Sequence, residues 1–286
     1  MNIQSVGIVT KPRLEEAARV AADLVRWFSE RRIQAVVEDR LAHEIDSADV
    51  ASAVGRLLEN SDLVVVIGGD GTLLATARLL AGRPVPILAI NLGGLGFLTE
   101  VTLSELYPQL EKVLAGGFVT DRRVMLDAAL VRNGETVAAH QALNDVVINK
   151  GTLARIIDLD TRVNGQYVST FRADGLIIAT PTGSTAYNLS AGGPIVHPQM
   201  SAMLMTPICS HTLTTRPLVL PGDMQVTVTL TSSSDEGVYI TIDGQIGIEM
   251  QRGDCLTLHK STSEVLLVAP AGKNYFDVLR GKLKWG

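Results

Sequence analysis

The chain has 286 residues and a formal net charge of −5 at pH 7, a length sufficient for one large domain or, as we expect, two ordinary ones. Its charges form no long block of one sign, which argues against a nucleic-acid or acidic-membrane partner and favours small molecules or copies of the chain itself. Cys209 and Cys255 lie far apart, and no apolar run reaches the roughly 18 residues of a spanning helix, so we exclude a disulfide framework and a cysteine-rich zinc site and expect a soluble, cytoplasmic protein.

The first part of the chain alternates between short apolar strands and amphipathic helices, which is the pattern of a doubly wound α/β domain over residues 1–120. The predicted strands are residues 6–10, 33–37, 63–67 and 87–90. The predicted helices carry Val20, Leu24, Trp27 and Phe28 in the first, Val50, Val54, Leu57 and Leu58 in the second, which Ser47 can cap, and residues 73–80 in the third.

A glycine-rich loop, Gly68-Gly69-Asp70-Gly71-Thr72, directly follows the third predicted strand. Glycines let the backbone bend and approach a ligand, and the N–H groups at the start of the next helix attract anions, so the loop is predicted to hold phosphate. Phosphate oxygens repel a carboxylate, so Asp70 requires a compensating metal or a proton-transfer role. Either Asp70 orients and deprotonates a hydroxyl that attacks a phosphoryl group, or the loop is an ordinary turn between a strand and a helix.

A second glycine-rich loop, residues 91–96, follows the fourth predicted strand. In open α/β sheets, ligands lie beyond the carboxyl ends of the strands. The two loops are therefore predicted to lie at one ligand-binding edge of the first domain.

Beyond residue 120 strands follow strands, which predicts a β-rich domain over residues 121–269. The Asn-Gly pairs at 133–134 and 164–165 lie between alternating segments and predict hairpins. Residues 270–286 form a tail that we expect to return to the first domain through one face of a helix. That face carries Tyr275, Phe276, Leu279 and Leu283.

Two polar side chains, Asn144 and Asp145, precede an apolar strand. An amide offers a donor and an acceptor, and a carboxylate accepts from paired hydroxyls or an amino group, so this pair suits a ribose or an adenine edge. An ordinary turn before a strand explains the same two residues.

Residues 180–194 form a segment that is rich in hydroxyl side chains and glycines. The hydroxyls can cap a helix and bind sugar or phosphate oxygens, Tyr187 can stack on a ring, and Gly192-Gly193 permits close backbone approach. We interpret the segment as a ligand contact; the alternative is a loop that only caps a helix.

Several single residues carry weaker signals. Arg155 and Arg172 can each pair with a diphosphate, although a lone strand arginine usually lies on a solvated face, and Asp174 follows closely after Arg172. Residues 243–244, Asp-Gly, predict a hairpin turn, and Gln245 has no signal of its own. The histidines have no metal-ligand spacing, so we predict no metal held by the protein alone.

Taken together, four motifs in this order resemble those of the NAD kinases. They are Gly68-Gly69-Asp70-Gly71-Thr72, Asn144-Asp145, residues 174–194 and Asp243-Gly244-Gln245. The resemblance covers most of the chain, including the tail from Phe276 to Trp285. It implies an α/β domain and a β-rich domain with substrate bound in the crevice between them, and a homodimer or homotetramer. The implied reaction transfers the γ-phosphoryl group of ATP, or in some members of polyphosphate, to the adenosine-ribose 2′-hydroxyl of NAD, giving NADP.

The resemblance also implies roles for individual residues. Asp70 resembles the proton acceptor, Gly71 continues the wall of the NAD pocket, and Gly68, Gly69, Gly71 and Thr72 would hold phosphate of the donor. Asn144 and Asp145 match the pair that engages adenosine, where many members carry Asn-Glu, so this carboxylate is one methylene shorter. The other positions that match NAD contacts are Arg155, Arg172, Asp174, Thr185, Ala186, Tyr187, Asn188, Leu189, Ser190 and Gln245.

Absent motifs narrow the alternatives. The sequence has no GxxxxGKS or GxxxxGKT stretch, no protein-kinase catalytic loop and no GxSxG elbow, which excludes the common triphosphatase and esterase classes. Mg²⁺ is expected to arrive with ATP, held by phosphate oxygens and water. Two rivals stay open: a lipid or sugar kinase that shares the glycine-rich loop, and a non-catalytic NAD sensor that needs the dinucleotide pocket but not Asp70.

Overall fold

The computed structural model describes residues 3–41, 51–52, 54–80, 82–94, 96–151, 156–232, 237–269, 272 and 274–285. Contacts divide the chain into two compact units, Met1–Arg122 with Val265–Gly286, and Arg123–Glu264. The boundaries predicted from the sequence are residues 120 and 269. In the part of the chain that is described, no helix combines the length and the hydropathy needed to cross a lipid bilayer.

The first unit is built from alternating strands and helices. Its strands are β1 (Ser5–Thr10), β2 (Gln34–Glu38), β3 (Ala51–Ser52), β4 (Leu63–Ile67), β5 (Pro86–Asn91) and β6 (Val101–Thr102). Its helices are α1 (Glu15–Glu30), α2 (Val54–Glu59), α3 (Asp70–Leu80), α4 (Leu106–Leu114) and the C-terminal α6 (Tyr275–Leu283), with single 3₁₀ turns at Asp39–Leu41 and Leu103–Glu105.

Parallel strands in the order β3-β2-β1-β4-β5 form the sheet of this unit. On one face, Ile8 of β1 belongs to the same buried cluster as Leu24 and Phe28 of α1. On the other face, Gly7 leaves room for α2, because a Cβ at Gly7 would lie 2.5 Å from the Cδ2 of Leu57. Helices therefore cover both faces of the sheet, which confirms the predicted doubly wound α/β domain.

The second predicted helix is wrong in its start. The apolar spacing predicted a helix that Ser47 caps, whereas α2 begins at Val54 and residues 51–52 form strand β3. The backbone of Ala51 pairs in parallel with that of Val37 in β2, so sheet pairing overrides the helical spacing at this point. Ser47 and Val50 lie outside the described residues.

The second unit is rich in β-strands. They are β7 (Thr120–Arg132), which begins at the boundary, β8 (Glu135–Ala142), β9 (Asp145–Lys150), β10 (Ile157–Val163), β11 (Gln166–Ala173), β12 (Gly175–Ala179), β13 (Ala202–Ile208), β14 (Leu218–Pro221), β15 (Val226–Leu230), β16 (Val238–Ile242), β17 (Ile246–Met250) and β18 (Cys255–Val268). A 3₁₀ turn at Thr182–Thr185 and the short helix α5 (Tyr187–Ser190) interrupt them. The β-rich second domain is thereby confirmed.

Antiparallel pairing organises this unit. One set of strands runs β11-β10-β15-β18, and a six-stranded sheet runs β14-β13-β12-β9-β16-β17. Leu159 of β10, Val228 of β15 and Leu256 of β18 share one buried cluster with Ile148 of β9 and Ile178 of β12, so inward-facing residues of both sets form one core.

Three predicted hairpin turns are present. The Asn-Gly pairs at 133–134 and 164–165 and the Asp-Gly pair at 243–244 all have positive φ at both residues. Each connects antiparallel neighbours: β7 with β8, β10 with β11, and β16 with β17. Asn, Asp and Gly tolerate positive φ better than other residues, which explains why the sequence signal was sufficient here.

The C-terminal segment belongs to the first unit, as predicted. Leu266 and Leu267, at the end of β18, pair in parallel with β5. Helix α6 then begins with a capping box, in which the Asn274 Oδ1 accepts from the N–H groups of Phe276 and Asp277, and an Asp277 oxygen accepts from the N–H of Asn274.

The predicted packing face of α6 is wrong at Phe276. Leu279 is buried as predicted and Tyr275 and Leu283 are half-buried, but Phe276 is 57% exposed and Val278, which was not predicted to pack, is buried. A helix of this length has few turns, so its apolar spacing alone leaves the orientation ambiguous, and packing decides it.

We expect Leu279→Ala to lower the free energy of unfolding by about 2 to 5 kcal/mol, because it removes buried methyl groups and leaves a cavity. Phe276→Ala is the matched control on the same helix and should cost less than about 1 kcal/mol, because surface truncations have small effects. Urea denaturation of both variants measures the difference. A larger loss for Phe276→Ala would show that Phe276, rather than Leu279, packs against the core.

Candidate active site

The Gly68–Thr72 loop joins β4 to α3. All residues of β4 are buried, and Asp70 is the first residue of α3. Gly68 must lack a side chain, because a Cβ there would lie 2.6 Å from the Oγ1 of Thr72 and 3.2 Å from the Cβ of Lys11. The close packing behind the loop therefore fixes the position from which Asp70 projects.

The Asp70 carboxylate accepts four hydrogen bonds from residues 97–99, which directly follow the second glycine-rich loop. Its Oδ1 accepts from the N–H groups of Leu98 and Thr99, at 3.2 and 3.0 Å, and from the Thr99 hydroxyl at 2.9 Å. Its Oδ2 accepts from the N–H of Phe97 at 2.9 Å. Each carboxylate oxygen has two lone pairs. Three donors share those of Oδ1, whereas Oδ2 meets a single donor and therefore retains one acceptor position.

Asn91 and Thr99 complete this network. The Nδ2 of Asn91 donates to the Thr99 Oγ1 at 2.9 Å and to the Gly94 carbonyl at 2.9 Å, while its Oδ1 accepts from the N–H of Gly93 at 2.7 Å. The sequence singled out the loop but neither of these two side chains. An Asn at the end of a strand, directly before glycines, was a signal for Asn91; Thr99 had none.

The glycines of the second loop differ in what surrounds them. A Cβ on Gly96 would lie 2.1 Å from the Asp70 Oδ1 and 2.2 Å from the Thr99 Oγ1, so only glycine permits this approach. Cβ atoms on Gly69 or Gly94 would meet nothing within 4 Å, and on Gly93 only the Asn91 Oδ1 at 3.8 Å. The backbone beside Asp70 is therefore accessible to a ligand.

These loops line a cleft of about 480 Å³ within the first unit. The strand order reverses between β1 and β4, and open α/β sheets bind ligands at such a reversal, beyond the carboxyl ends of the strands. The cleft lies at that point, because its wall contains Lys11, which follows β1, and Gly68, which follows β4. The other lining residues are Leu14, Glu16, Gly69, Asp70, Asn91, Leu92, Gly93, Gly94, Gly96 and Lys282.

In the second unit, a buried carboxylate organises Asn144 and Asp145. Asp243, 8% exposed, accepts from the N–H groups of Leu143, Asn144 and Asp145 at 3.2, 2.7 and 3.2 Å. Its own N–H donates to the carbonyl of Asp145 at 2.9 Å. The sequence predicted only a hairpin turn at Asp243; the structure adds this positioning role.

Asp145 is nearly inaccessible to solvent. Its pKa is raised to about 7 by burial and by the neighbouring Asp243 charge, while a hydrogen bond from the Tyr187 N–H acts in the opposite direction. Near neutral pH the carboxyl is therefore present in both the neutral form, which can donate a hydrogen bond, and the ionised form, which only accepts.

Two buried polar atoms have no hydrogen-bond partner among the described residues: the Oδ1 of Asn144 and the Oγ1 of Thr182. Gly183, next to Thr182, contacts Asn144 closely, because a Cβ there would lie 2.0 Å from the Asn144 carbonyl oxygen. Leaving a buried polar atom unbonded costs free energy, so both atoms are candidates for ligand contacts.

The 180–194 segment is held by internal hydrogen bonds. The Thr180 hydroxyl donates to the Leu143 carbonyl at 2.6 Å, next to Asn144. Asn188 is fully buried; its Nδ2 donates to the carbonyls of Ser184 and Pro194, and its Oδ1 accepts from the Thr206 hydroxyl. The Asn188 side chain thus fixes the segment. Tyr187 and Ser190 are exposed, and Thr185, Ala186 and Leu189 are half-buried.

Asp174 does not lie beside Asp145. Ala179 pairs with Asp145 and Gly175 with Asn149, so Asp174, before Gly175, lies at the opposite end of the strand pair, about 17 Å away at about 3.4 Å per residue. The Lys150 Nζ lies 3.6 Å from an Asp174 oxygen.

Arg172 is exposed, and its Nε lies 3.4 Å from an oxygen of Asp158. Gln245 is exposed, and its N–H donates to the Ile242 carbonyl at 2.9 Å. Arg155 lies outside the described residues. Among the residues that are described, no three His, Cys, Asp or Glu side chains form a group that could hold a metal ion.

Comparison with known protein families gives two matches that together span most of the chain. A model of the ATP-NAD kinase N-terminal domain matches residues 6–118, and a model of the ATP-NAD kinase C-terminal domain matches residues 143–269.

Full-length relatives give the same result. The chain is 50% identical to the NAD kinase of Citrifermentans bemidjiense and 49% identical to that of Geobacter sulfurreducens, each over 286 residues and 99% of both chains.

Solved structures resemble the fold. Yeast NADH kinase, crystallised with NADH, has a TM-score of 0.91 at 27% identity and covers 100% of this chain and 88% of its own. An NAD kinase from Archaeoglobus fulgidus in complex with ATP has a TM-score of 0.78 at 23% identity, covers 99% of this chain and 100% of its own, and supports the fold alone. With both domain models and full-length relatives in agreement, the chain belongs to the NAD kinase family.

Proposed function

We propose that this chain phosphorylates NAD with ATP as the donor, giving NADP and ADP. The family assignment supports the reaction, and one geometric observation supports the site: the Asp70 carboxylate, fixed by four hydrogen bonds, lines a cleft whose glycine-rich walls are accessible to phosphate. NADP formation from ATP, Mg²⁺ and NAD by the purified protein is the direct test. Binding of NAD without turnover would favour the sensor, and a lipid or sugar that outcompetes NAD as acceptor would favour the other kinases.

In the proposed reaction the 2′-hydroxyl oxygen of the adenosine ribose attacks the γ-phosphorus. The bond from that phosphorus to the β–γ bridging oxygen breaks, ADP leaves with the electron pair, and the hydroxyl proton passes to the Oδ2 of Asp70. Phosphoryl transfer has a loose transition state, so orienting the hydroxyl matters more than the strength of the base. The three donors on Oδ1 and one on Oδ2 hold the carboxylate so that the vacant position of Oδ2 receives the hydroxyl.

We propose that the Asn144–Asp145 cluster binds the adenosine part of NAD. The unbonded Asn144 Oδ1 and Thr182 Oγ1 can accept hydrogen bonds from an amino group or from ribose hydroxyls. Asp145 can act as donor or acceptor near neutral pH. The other contacts to NAD that the resemblance implies stay predictions. They involve Thr185, Ala186, Tyr187, Asn188, Leu189, Ser190, Arg155, Arg172, Asp174 and Gln245.

The donor is proposed to bind as its Mg²⁺ complex, since Mg²⁺ prefers phosphate oxygens and water as ligands.

We also propose that the chain works in the cytoplasm as a homodimer or homotetramer. The edge strand β14 supports association of copies, because its Val219 is 49% exposed and Leu213, just before the strand, is 92% exposed.

We expect Asp70→Asn to lower kcat for NADP formation by about 100-fold or more, because general-base contributions are of that size, while NAD affinity is retained. Steady-state kinetics and calorimetric titration with NAD measure the two effects. Thr99→Val is the matched control, since it removes one donor to Asp70 but keeps the carboxylate, and it should retain much more activity. A near-normal rate in Asp70→Asn would refute the role of Asp70.

Two glycine variants should separate donor binding from catalysis. Gly69→Ala adds a Cβ in open space beside the cleft, so we expect a higher KM for ATP with little loss of stability. Gly96→Ala places a Cβ against the Asp70 Oδ1, so we expect the carboxylate to shift and kcat to fall. Gly55→Ala, in α2 and also without a contact within 4 Å, is the control and should leave both parameters unchanged. Equal kinetics in all three variants would contradict the assignment of the cleft.

The buried Asp145 should make stability depend on pH. Its pKa lies above the ordinary value of 3.8, so the neutral carboxyl favours folding below about pH 4, and this contribution is lost as pH rises through about 7. Asp145→Asn stays neutral, so relative to the wild type it should gain stability between pH 5 and pH 8. The gain should reach a few kcal/mol, at about 1.4 kcal/mol per pKa unit.

Denaturation at several pH values measures this difference. Asp223→Asn, at an exposed position, is the control and should show no comparable gain. A gain for Asp145→Asn that shrinks as the pH rises would show that Asp145 is not the buried acid described.

A further inference from the structure

We infer that Lys11 and Lys282 bind the phosphate chain of the donor in the cleft beside Asp70, with Lys282 supplied by the C-terminal helix. This inference rests on the proposed function and adds two binding residues to it. The sequence motifs pointed to neither lysine.

Lys11 lies at the point where the strand order reverses. It directly follows β1, and its N–H donates to the carbonyl of Ile67, the last residue of β4, at 2.8 Å. The Cβ of Lys11 lies 3.2 Å from the position that a Cβ of Gly68 would occupy. The backbone of Lys11 is thus fixed against the start of the Gly68–Thr72 loop, and its side chain lines the cleft.

Lys282 reaches the same cleft from α6. Its Nζ lies 5.6 Å from the centre of the Phe97 ring, within the range of a cation–π contact. The backbone N–H of Phe97 donates to the Asp70 Oδ2, so the residue that orients the lysine also binds the proposed proton acceptor. The position of α6 therefore brings a positive charge to the loop that holds Asp70.

Charge supports a phosphate ligand here. Neither lysine forms an ion pair with a carboxylate within the described part of the chain. The acids of the cleft wall are Asp70, whose carboxylate already accepts four hydrogen bonds, and Glu16, which is exposed on α1. A polyanion would supply the partners that these two ammonium groups lack.

The reaction geometry identifies that polyanion as the donor. The hydroxyl loses its proton at the Asp70 Oδ2, so the γ-phosphorus must lie close to this oxygen during transfer. The two lysines in the same cleft would therefore neutralise the negative charge of the triphosphate close to the phosphoryl group that is transferred. The open space at Gly69 and Gly94 allows the phosphate oxygens to approach the backbone.

Lys282→Gln and Lys11→Gln test the inference. Each should raise the KM for ATP and the dissociation constant of a non-hydrolysable ATP analogue, measured without NAD, by about tenfold, because the variant loses a charge-assisted hydrogen bond to phosphate. A tenfold change corresponds to about 1.4 kcal/mol. The KM for NAD should change less than twofold. Lys282→Arg keeps the charge and should bind more tightly than Lys282→Gln. Lys284→Gln, which follows α6 and is not part of the cleft wall, is the matched control and should behave as the wild type.

Inorganic tripolyphosphate shows which part of the donor is bound. Its affinity should fall in the two Gln variants as much as that of the ATP analogue. Unchanged analogue affinity in both variants, or a loss for the analogue but not for tripolyphosphate, would overturn the inference. A wild-type protein that binds the analogue but makes no NADP would instead reject the proposed function, and the binding measurements would still decide the role of the lysines.

Discussion

The Asp70 carboxylate is the interaction on which the first unit's site depends. It collects the N–H groups of residues 97–99 and the Thr99 hydroxyl, and so ties the loop after β5 to the start of α3. Without it, the backbone N–H groups of Phe97, Leu98 and Thr99 would lack this acceptor. The Asp70 carboxylate therefore has two roles. The hydrogen bonds that hold residues 97–99 also orient its Oδ2, the oxygen that would accept the proton.

The second unit uses the same physical device. Asp243 accepts from three consecutive N–H groups at Leu143, Asn144 and Asp145, and thereby orients the pair that is proposed to meet adenosine. In both units a carboxylate from a distant part of the chain holds a backbone segment, and the held segment presents other polar groups to a ligand. The two differ in consequence, because the charge of Asp243 also raises the pKa of buried Asp145.

Helix α6 shows how a short tail contributes to such a site. Its capping box defines where the helix begins, and Val278 and Leu279 fix which side faces the core. That orientation leaves Lys282 on the side that meets Phe97. Lys282 is exposed and no sequence motif singles it out. Its proposed role follows only from its position beside Phe97 and in the wall of the cleft.

The sequence by itself determined the alternation of strands and helices, the three turns with positive φ, and the glycine-rich loop around Asp70, because periodicity and backbone preference are local properties. It failed at residues 51–52, where pairing of β3 with β2 overrode helical spacing, and at Phe276, which faces solvent. Only the tertiary structure decided the partners of Asp70 and Asp243, since these lie 27 to 29 and 98 to 100 residues away along the chain. Contacts at such separations depend on how the sheets assemble, which no local pattern encodes.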